Sequence, residues 1–183
     1  MPPKVKITKE EIVRTAVDLV RKGEAINART LAATLNCSTQ PIFSNFATME
    51  ELRQAVTQKA EALYLEYMQQ ETESGAYPAY KASGMAYIRF AKEEKELFKL
   101  LYMCDRTEVH DEDSPLFQMM EGLVQESTGL ESLEARLFHL EMWAFVHGIA
   151  TMFATSYLDL PQELVSKMTT DCFQGLRKQY GME

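Results

Sequence analysis

Four side chains within seven positions, Thr39, Gln40, Ser44 and Asn45, carry the donors and acceptors that read base edges in a DNA major groove. Gln and Asn can bond adenine bidentately, while Thr and Ser are more permissive. Trp143 and His147 stand one helical turn apart and share a face. The imidazole can orient a polar ligand there, although a hydrogen-bonded structural histidine beside Gly148 fits the spacing better. Asp105, Glu108, Asp111 and Asp113 offer oxygens to a hard cation, but without an ordered ligand loop a solvated charge cluster is the simpler reading. Cys37, Cys104 and Cys172 are odd in number and widely spaced, which excludes a disulfide framework and a CxxC zinc knuckle and fits a reducing cytosol. Cys37 is a weak candidate for oxidation sensing. Glu-x-x-His, Gly-x-Ser-x-Gly, His-Glu-x-x-His and a glycine-rich phosphate loop are all missing. Neither catalysis nor a metal or cofactor is expected.

The elements that must hold these residues read as helices, because apolar periodicity is helical almost throughout and no stretch alternates long enough for a strand. Thr8-Lys9-Glu10-Glu11 is a capping box, followed by Ile12, Ala16, Leu19 and Val20 and stopped by Gly23. A short helix spans Asn27 to Leu35, with Asn27 as its cap. Asn36-Cys37-Ser38 breaks it, and Ser38 is the expected cap of the next helix, with Pro41 in the first turn. Two short helices joined this way fit a helix-turn-helix, and spacing alone fits an ordinary helical hairpin equally well. Thr48-Met49-Glu50-Glu51 is a second capping box. It opens a long helix with Leu52, Val56, Lys59, Leu63 and Tyr67 near heptad spacing, ending at Ser74-Gly75. Further helices are expected over about 78–92, 94–104, 114–129, 132–158 and 161–180. The fold class is all-α with about nine helices.

At 183 residues, 46% hydrophobic and 25% charged, the chain has a globular composition. Its length is enough to bury roughly 70% of the unfolded surface. The net charge of −8 argues against coating nucleic acid by bulk electrostatics, yet the charge is unevenly placed. Residues 1–50 hold seven basic and five acidic groups, leaving −10 on the remaining 133. A mildly basic head on an acidic body is the asymmetry expected if only the head meets phosphate. The start lacks the apolar stretch of a signal peptide. The longest uncharged run, Met142 to Leu158, falls short of the roughly 20 apolar residues a bilayer requires. A cytoplasmic protein with no membrane partner is expected.

Leu31-Ala32, Cys37-Ser38, Ile42-Phe43, Phe46 and Glu50-Glu51-Leu52 resemble the N-terminal domain of TetR/AcrR transcriptional repressors over roughly residues 8–60. Trp143-Ala144-Phe145-Val146-His147-Gly148 is similar to the Trp…His-Gly signature of one TetR C-terminal domain type. Ala86-Tyr87-Ile88-Arg89-Phe90-Ala91 and Glu96-Leu97-Phe98 resemble that type's earlier helices. The resemblance implies a helix-turn-helix domain over 1–50 and an effector-binding, dimerising domain over 51–183. It implies DNA contacts from Lys6, Arg29, Thr30, Ser38, Thr39, Gln40, Pro41, Phe43, Ser44, Asn45 and Thr48. Asn36 departs from the family's usual turn glycine and Pro41 from its small residue. Phe43 stands where a tyrosine commonly gives its hydroxyl to phosphate, Asn45 where tyrosine or histidine is common, and Met49 in place of a lysine. Each change removes a contact rather than the fold.

On the same resemblance, a small molecule in the C-terminal core relieves repression by a homodimer bound to palindromic operator DNA. Candidate effector contacts are Phe90, Phe98, Tyr102, Met103, Met119, Met120, Leu123, Trp143 and His147, although Met and Phe at helical spacing are more often plain core. The apolar helix from Met142 and the stripe Leu164, Met168, Cys172, Leu176, Tyr180 are the expected dimer interface. Gly84, Gly122, Gly148 and Gly175 fall inside helices, where close helix approach or a ligand is expected to explain some of them. The alternative is a TetR-like ligand- or partner-binding protein whose reading head has lost DNA binding.

Overall fold

The computed structural model describes residues 7–104 and 114–182. Among them there are nine helices and no strand: α1 Lys9–Arg21, α2 Ala28–Thr34, α3 Gln40–Asn45, α4 Met49–Glu73, α5 Ala79–Glu93, α6 Lys95–Tyr102, α7 Pro115–Thr128, α8 Ser132–Ala154 and α9 Gln162–Gln179. The acidic cluster Asp105, Glu108, Asp111 and Asp113 lies outside the described residues, as does Lys6. The chain packs as two units, Met1–Leu63 with Glu94–Met103 and Tyr64–Glu93 with Cys104–Glu183. These do not follow the expected division at residue 50, because α4 runs unbroken through that position and α6 packs on α1.

In the first unit, Thr8 and Glu11 form the expected reciprocal cap. The Glu11 N–H donates to Thr8 Oγ1 at 3.1 Å, and the Thr8 N–H to Glu11 Oε2 at 2.9 Å. Those bonds to Thr8 hold the Glu11 carboxyl below its ordinary pKa. Helix α1 ends in a Schellman turn at Gly23, with Gly23 N–H on Val20 O and Glu24 N–H on Leu19 O. The Asn27 side chain caps α2 by accepting from the N–H groups of Arg29 and Thr30, both at 3.0 Å. Helix α2 closes with the same motif built on Asn36 at φ 51°: Asn36 N–H reaches Ala33 O and Cys37 N–H reaches Ala32 O. Ile12, Ala16, Leu31, Ile42, Phe46, Leu52, Val56, Ala60, Leu97 and Phe98 form the core of this unit. Arg21 clamps the start of α6, with Nε and Nη2 on the two Glu94 oxygens at 2.8 and 2.7 Å.

Three local expectations are corrected here. Ser38 does not cap α3: the helix starts at Gln40 with Thr39 as its cap residue, and no side-chain cap bond forms. Thr39 has αR backbone, φ −71° and ψ −15°, in place of the extended backbone of a side-chain cap, and Pro41 removes one of the two N–H groups a cap there could use. The second capping box is also altered. Thr48 Oγ1 accepts from Glu51 N–H at 3.1 Å, but the Glu51 carboxylate takes the Ala47 N–H at 2.8 Å and the Lys9 ammonium at 3.3 Å. Buried positions on α4 repeat every four residues as Leu52, Val56, Ala60 and Tyr64, not near heptad spacing, and Lys59 is exposed. A step of four advances about 40° beyond a full turn, so the stripe winds around the helix, serving one unit to Leu63 and the other from Tyr64.

The second unit is organised by α5, which packs on α7, α8 and α9. Ala82, Met85, Ala86, Tyr87, Ile88, Phe90 and Ala91 are buried on it. A Cβ on Gly84 would sit 3.6 Å from Val146 Cγ2, ordinary contact distance, so α5 and α8 approach closely there. Gly122, Gly148 and Gly175 have no such neighbour within 4 Å. The Lys81 ammonium donates to Ser166 Oγ and Thr170 Oγ1, both at 2.8 Å, tying α9 to α5. Helix α8 stops at Ala154, short of the expected 158, because Ser156 adopts φ 58° and a Schellman turn closes on Phe153 O and Met152 O without a glycine. The whole of α8 is long and apolar enough, by length and composition, to cross a membrane. Phe138, Met142, Val146, Ile149 and Phe153 on it are buried, as in a core helix.

Candidate functional site

Helices α2 and α3 both pack on α1, and the turn between them runs from Leu35 to Thr39. Ile42 and Phe46 are the buried anchors that fix the roll of α3. This roll leaves Gln40, Phe43 and Ser44 exposed, with Thr39, Pro41 and Asn45 half-buried. Ser38, Arg29 and Thr48 are exposed and Thr30 is half-buried.

The polar side chains of α3 are not equally available. Ser44 Oγ donates to Gln40 O at 2.9 Å. Asn45 Nδ2 donates to Pro41 O at 2.8 Å and to Ile7 O at 3.4 Å, so the amide expected to face adenine is turned onto backbone. Bidentate reading of adenine needs those same amide hydrogens. The Thr48 hydroxyl is likewise taken up in capping α4. The basic groups are divided too. Lys9 pairs with Glu51 and lies over the Phe46 ring, Arg21 pairs with Glu94 and Asp18, and Arg53 with Glu50. Arg14, Lys22 and Arg29 have no ion-pair partner among the described residues.

The nine expected effector contacts fall in different places. Phe98, Tyr102 and Met103 belong to the first unit, and Phe90, Met119, Met120, Leu123, Trp143 and His147 to the second. Phe98 is buried and its ring lies 5.2 Å from that of Tyr102. Phe90 is buried between Tyr64 and Tyr67, with centroids at 5.6 and 5.4 Å, and Met120 is buried as well. Leu123 is half-buried, while Met103 and Met119 are exposed.

Trp143 is 40% exposed and its indole stacks on the His147 imidazole at 5.0 Å. His147 Nδ1 also meets the buried Tyr87 hydroxyl at 2.9 Å. A second pair of the same kind joins His139 Nδ1 to Tyr80 Oη at 3.0 Å. Burial lowers the pKa of both histidines, that of His139 to about 4, so both imidazoles are neutral near pH 7. Sequence reasoning missed both pairs, although Tyr80 and Tyr87 stand seven apart and His139 and His147 eight apart. It also missed the buried Glu71, which binds Arg89 Nη1 at 3.0 Å, while Arg89 Nη2 donates to Gln70 Oε1 at 2.9 Å.

On α8, Leu137, Ala144 and Met152 are exposed, with Gly148 half-buried in the same stripe, and on α9 Leu164 is exposed with Met168, Cys172 and Leu176 half-buried. All three cysteines are free thiols, and burial raises the Cys172 pKa, helped by Glu141. Among the described residues no group of three His, Cys, Asp or Glu side chains is placed to hold a metal. A family model described as tetracyclin repressor-like, C-terminal domain, matches residues 80–171, half of the chain. Comparison with curated proteins gives no match.

Proposed function

The chain belongs to the tetracyclin repressor-like family through its C-terminal domain, and from that membership we propose that it is a ligand-responsive transcriptional repressor. It binds palindromic operator DNA as a homodimer and is released by a small-molecule effector held in the helical body. The observation that carries this reading is the α2–turn–α3 pair seated on α1 ahead of that domain, closed by a left-handed Asn36 and presenting Gln40 outward. Such a pair lays its second helix in the major groove while the first crosses the backbone. Arg14, Lys22 and Arg29 supply positive charge that forms no ion pair among the described residues. The protein acts in the cytoplasm as a regulator and not as an enzyme.

The homodimer forms through α8 and α9. The exposed stripe Leu137, Ala144, Gly148, Met152 and the stripe Leu164, Met168, Cys172, Leu176 meet their copies across a two-fold axis. Dimeric readers need half-sites about 34–36 Å apart, so a modest change in head spacing abolishes binding. The effector works only if it binds the DNA-incompetent state better than the competent one. Helix α4 contributes to both packing units, which makes it the element through which a change in the body reaches the head.

The test is selection of binding sites from a random duplex pool, followed by anisotropy against salt. A palindrome is expected, with log affinity falling at a slope of about −5 if three free cations per protomer each meet a phosphate. A second reading, a TetR-like ligand- or partner-binding protein without DNA binding, draws support from Ser44 and Asn45, whose donors are bonded to backbone. It becomes the better account if no duplex binds at low salt.

A further inference from the structure

The outward face of α3 carries one large apolar side chain that the fold does not use. Phe43 is 49% exposed, whereas its apolar neighbours Ile42 and Phe46 are fully buried. It lies three residues from Gln40, so the two side chains share one face. The donor hydrogens of the other polar side chains on the helix are committed. Ser44 donates to Gln40 O, Asn45 donates to Pro41 O and Ile7 O, and Pro41 has no N–H. Gln40 makes no side-chain hydrogen bond among the described residues. A ligand meeting this face therefore encounters one phenyl ring and one uncommitted carboxamide.

We infer that α3 reads its operator mainly by apolar contact, with Phe43 packed on the C5-methyl groups of thymine and Gln40 bonding an adjacent adenine. The inference rests on the DNA-binding reading above and names what the head recognises. In the major groove thymine alone of the four bases presents a methyl group, and a phenyl ring is a fitting partner for it. The Gln carboxamide matches the acceptor N7 and donor N6 of adenine. Lacking a hydroxyl, the Phe43 ring has nothing to give a phosphate, so its value at this surface lies in apolar contact. The half-site should then hold an A·T step at the position α3 faces.

The experiment replaces each thymine of the selected palindrome by deoxyuridine, one symmetric pair at a time, removing the methyl and keeping Watson–Crick pairing. Binding is measured by anisotropy for the wild-type protein, Phe43→Ala and Phe43→Leu, with helicity checked by circular dichroism. One buried methyl is worth about fourfold in affinity, so a symmetric pair should cost wild-type protein about fifteenfold at one or two positions. Phe43→Ala should be indifferent there, and Phe43→Leu should keep part of the discrimination. Equal uridine effects in wild type and Phe43→Ala, or no effect at any position, overturn the methyl contact while leaving a DNA reader standing. Absence of binding to any duplex at low salt overturns both readings.

Discussion

Tyr87 and His147 meet across α5 and α8 with the phenol oxygen 2.9 Å from Nδ1, and Trp143 stacks on the same imidazole. The Tyr80–His139 pair repeats the arrangement two turns earlier, so α5 and α8 run in the same direction and are stapled twice. Replacing Tyr87 by Phe deletes one hydroxyl and leaves a partly buried imidazole nitrogen unmatched. The expected cost is about 1 kcal/mol in urea unfolding. On a His147→Phe background the same change should cost markedly less, and equal costs on both backgrounds would show that the pair is not coupled.

His139 gives the fold a defined acid sensitivity. Its pKa lies near 4 in the folded protein, because burial penalises the charged ring, against an ordinary value of 6.5. Below about pH 6.5 the unfolded chain takes up a proton that the fold refuses, so stability falls with pH until about pH 4 and is flat outside that window. Across the window the loss is roughly 3 kcal/mol, and about 2 kcal/mol between pH 7.5 and 5. His139→Gln should lose this part of the pH dependence while unfolding more easily at pH 7.5. A wild-type protein as stable at pH 5 as at pH 7.5 would show that the ring charges freely in the fold.

The caps at Thr8 and Asn27 and the stops at Gly23 and Asn36 were legible in the sequence because donor, acceptor and backbone freedom lie within a few residues. The end of α8 was not, since Ser156 takes a left-handed backbone that serine seldom adopts. Ser38 misled because the helix starts one residue later than its hydroxyl suggests, with Thr39 as an αR cap residue. At the head, a short helix forms where the sequence placed one. The turn of Asn45 onto backbone combines a local bond to Pro41 O with a longer one to Ile7 O, 38 residues away, and only the first lies within reach of a local pattern. The effector candidates were chosen by residue type, and type cannot say that Phe98 joins one core and Phe90 another.

Glu71 is the buried carboxylate of the second unit, and Arg89 is its partner at 3.0 Å, itself held over the Tyr67 ring at 4.7 Å. Arg89 also reaches Glu93, and the Tyr67 hydroxyl donates to the same carboxylate at 2.8 Å. Because Arg89 is 35% exposed, Arg89→Met should cost about 2 kcal/mol, below the 3–5 typical when a fully buried pair is broken. Adding Glu71→Leu should restore most of it, because the stranded charge is then gone. A double variant no more stable than Arg89→Met would mean that Glu71 is well solvated without its partner.

Gly148 separates the role of α8 as a core helix from its proposed role at a subunit boundary. A Cβ there has no neighbour within 4 Å in the single chain, so the fold of one protomer gives no reason for glycine. Glycine inside a helix costs about 1 kcal/mol relative to alanine, a cost that close approach of a second copy would offset. Gly148→Arg should therefore keep full helicity yet sediment as a monomer at concentrations where the wild-type protein is a dimer. Leu137→Lys, about three turns away on the same stripe, should act in the same direction. A dimer that tolerates both changes would remove α8 from the interface and leave its outward face needing another partner.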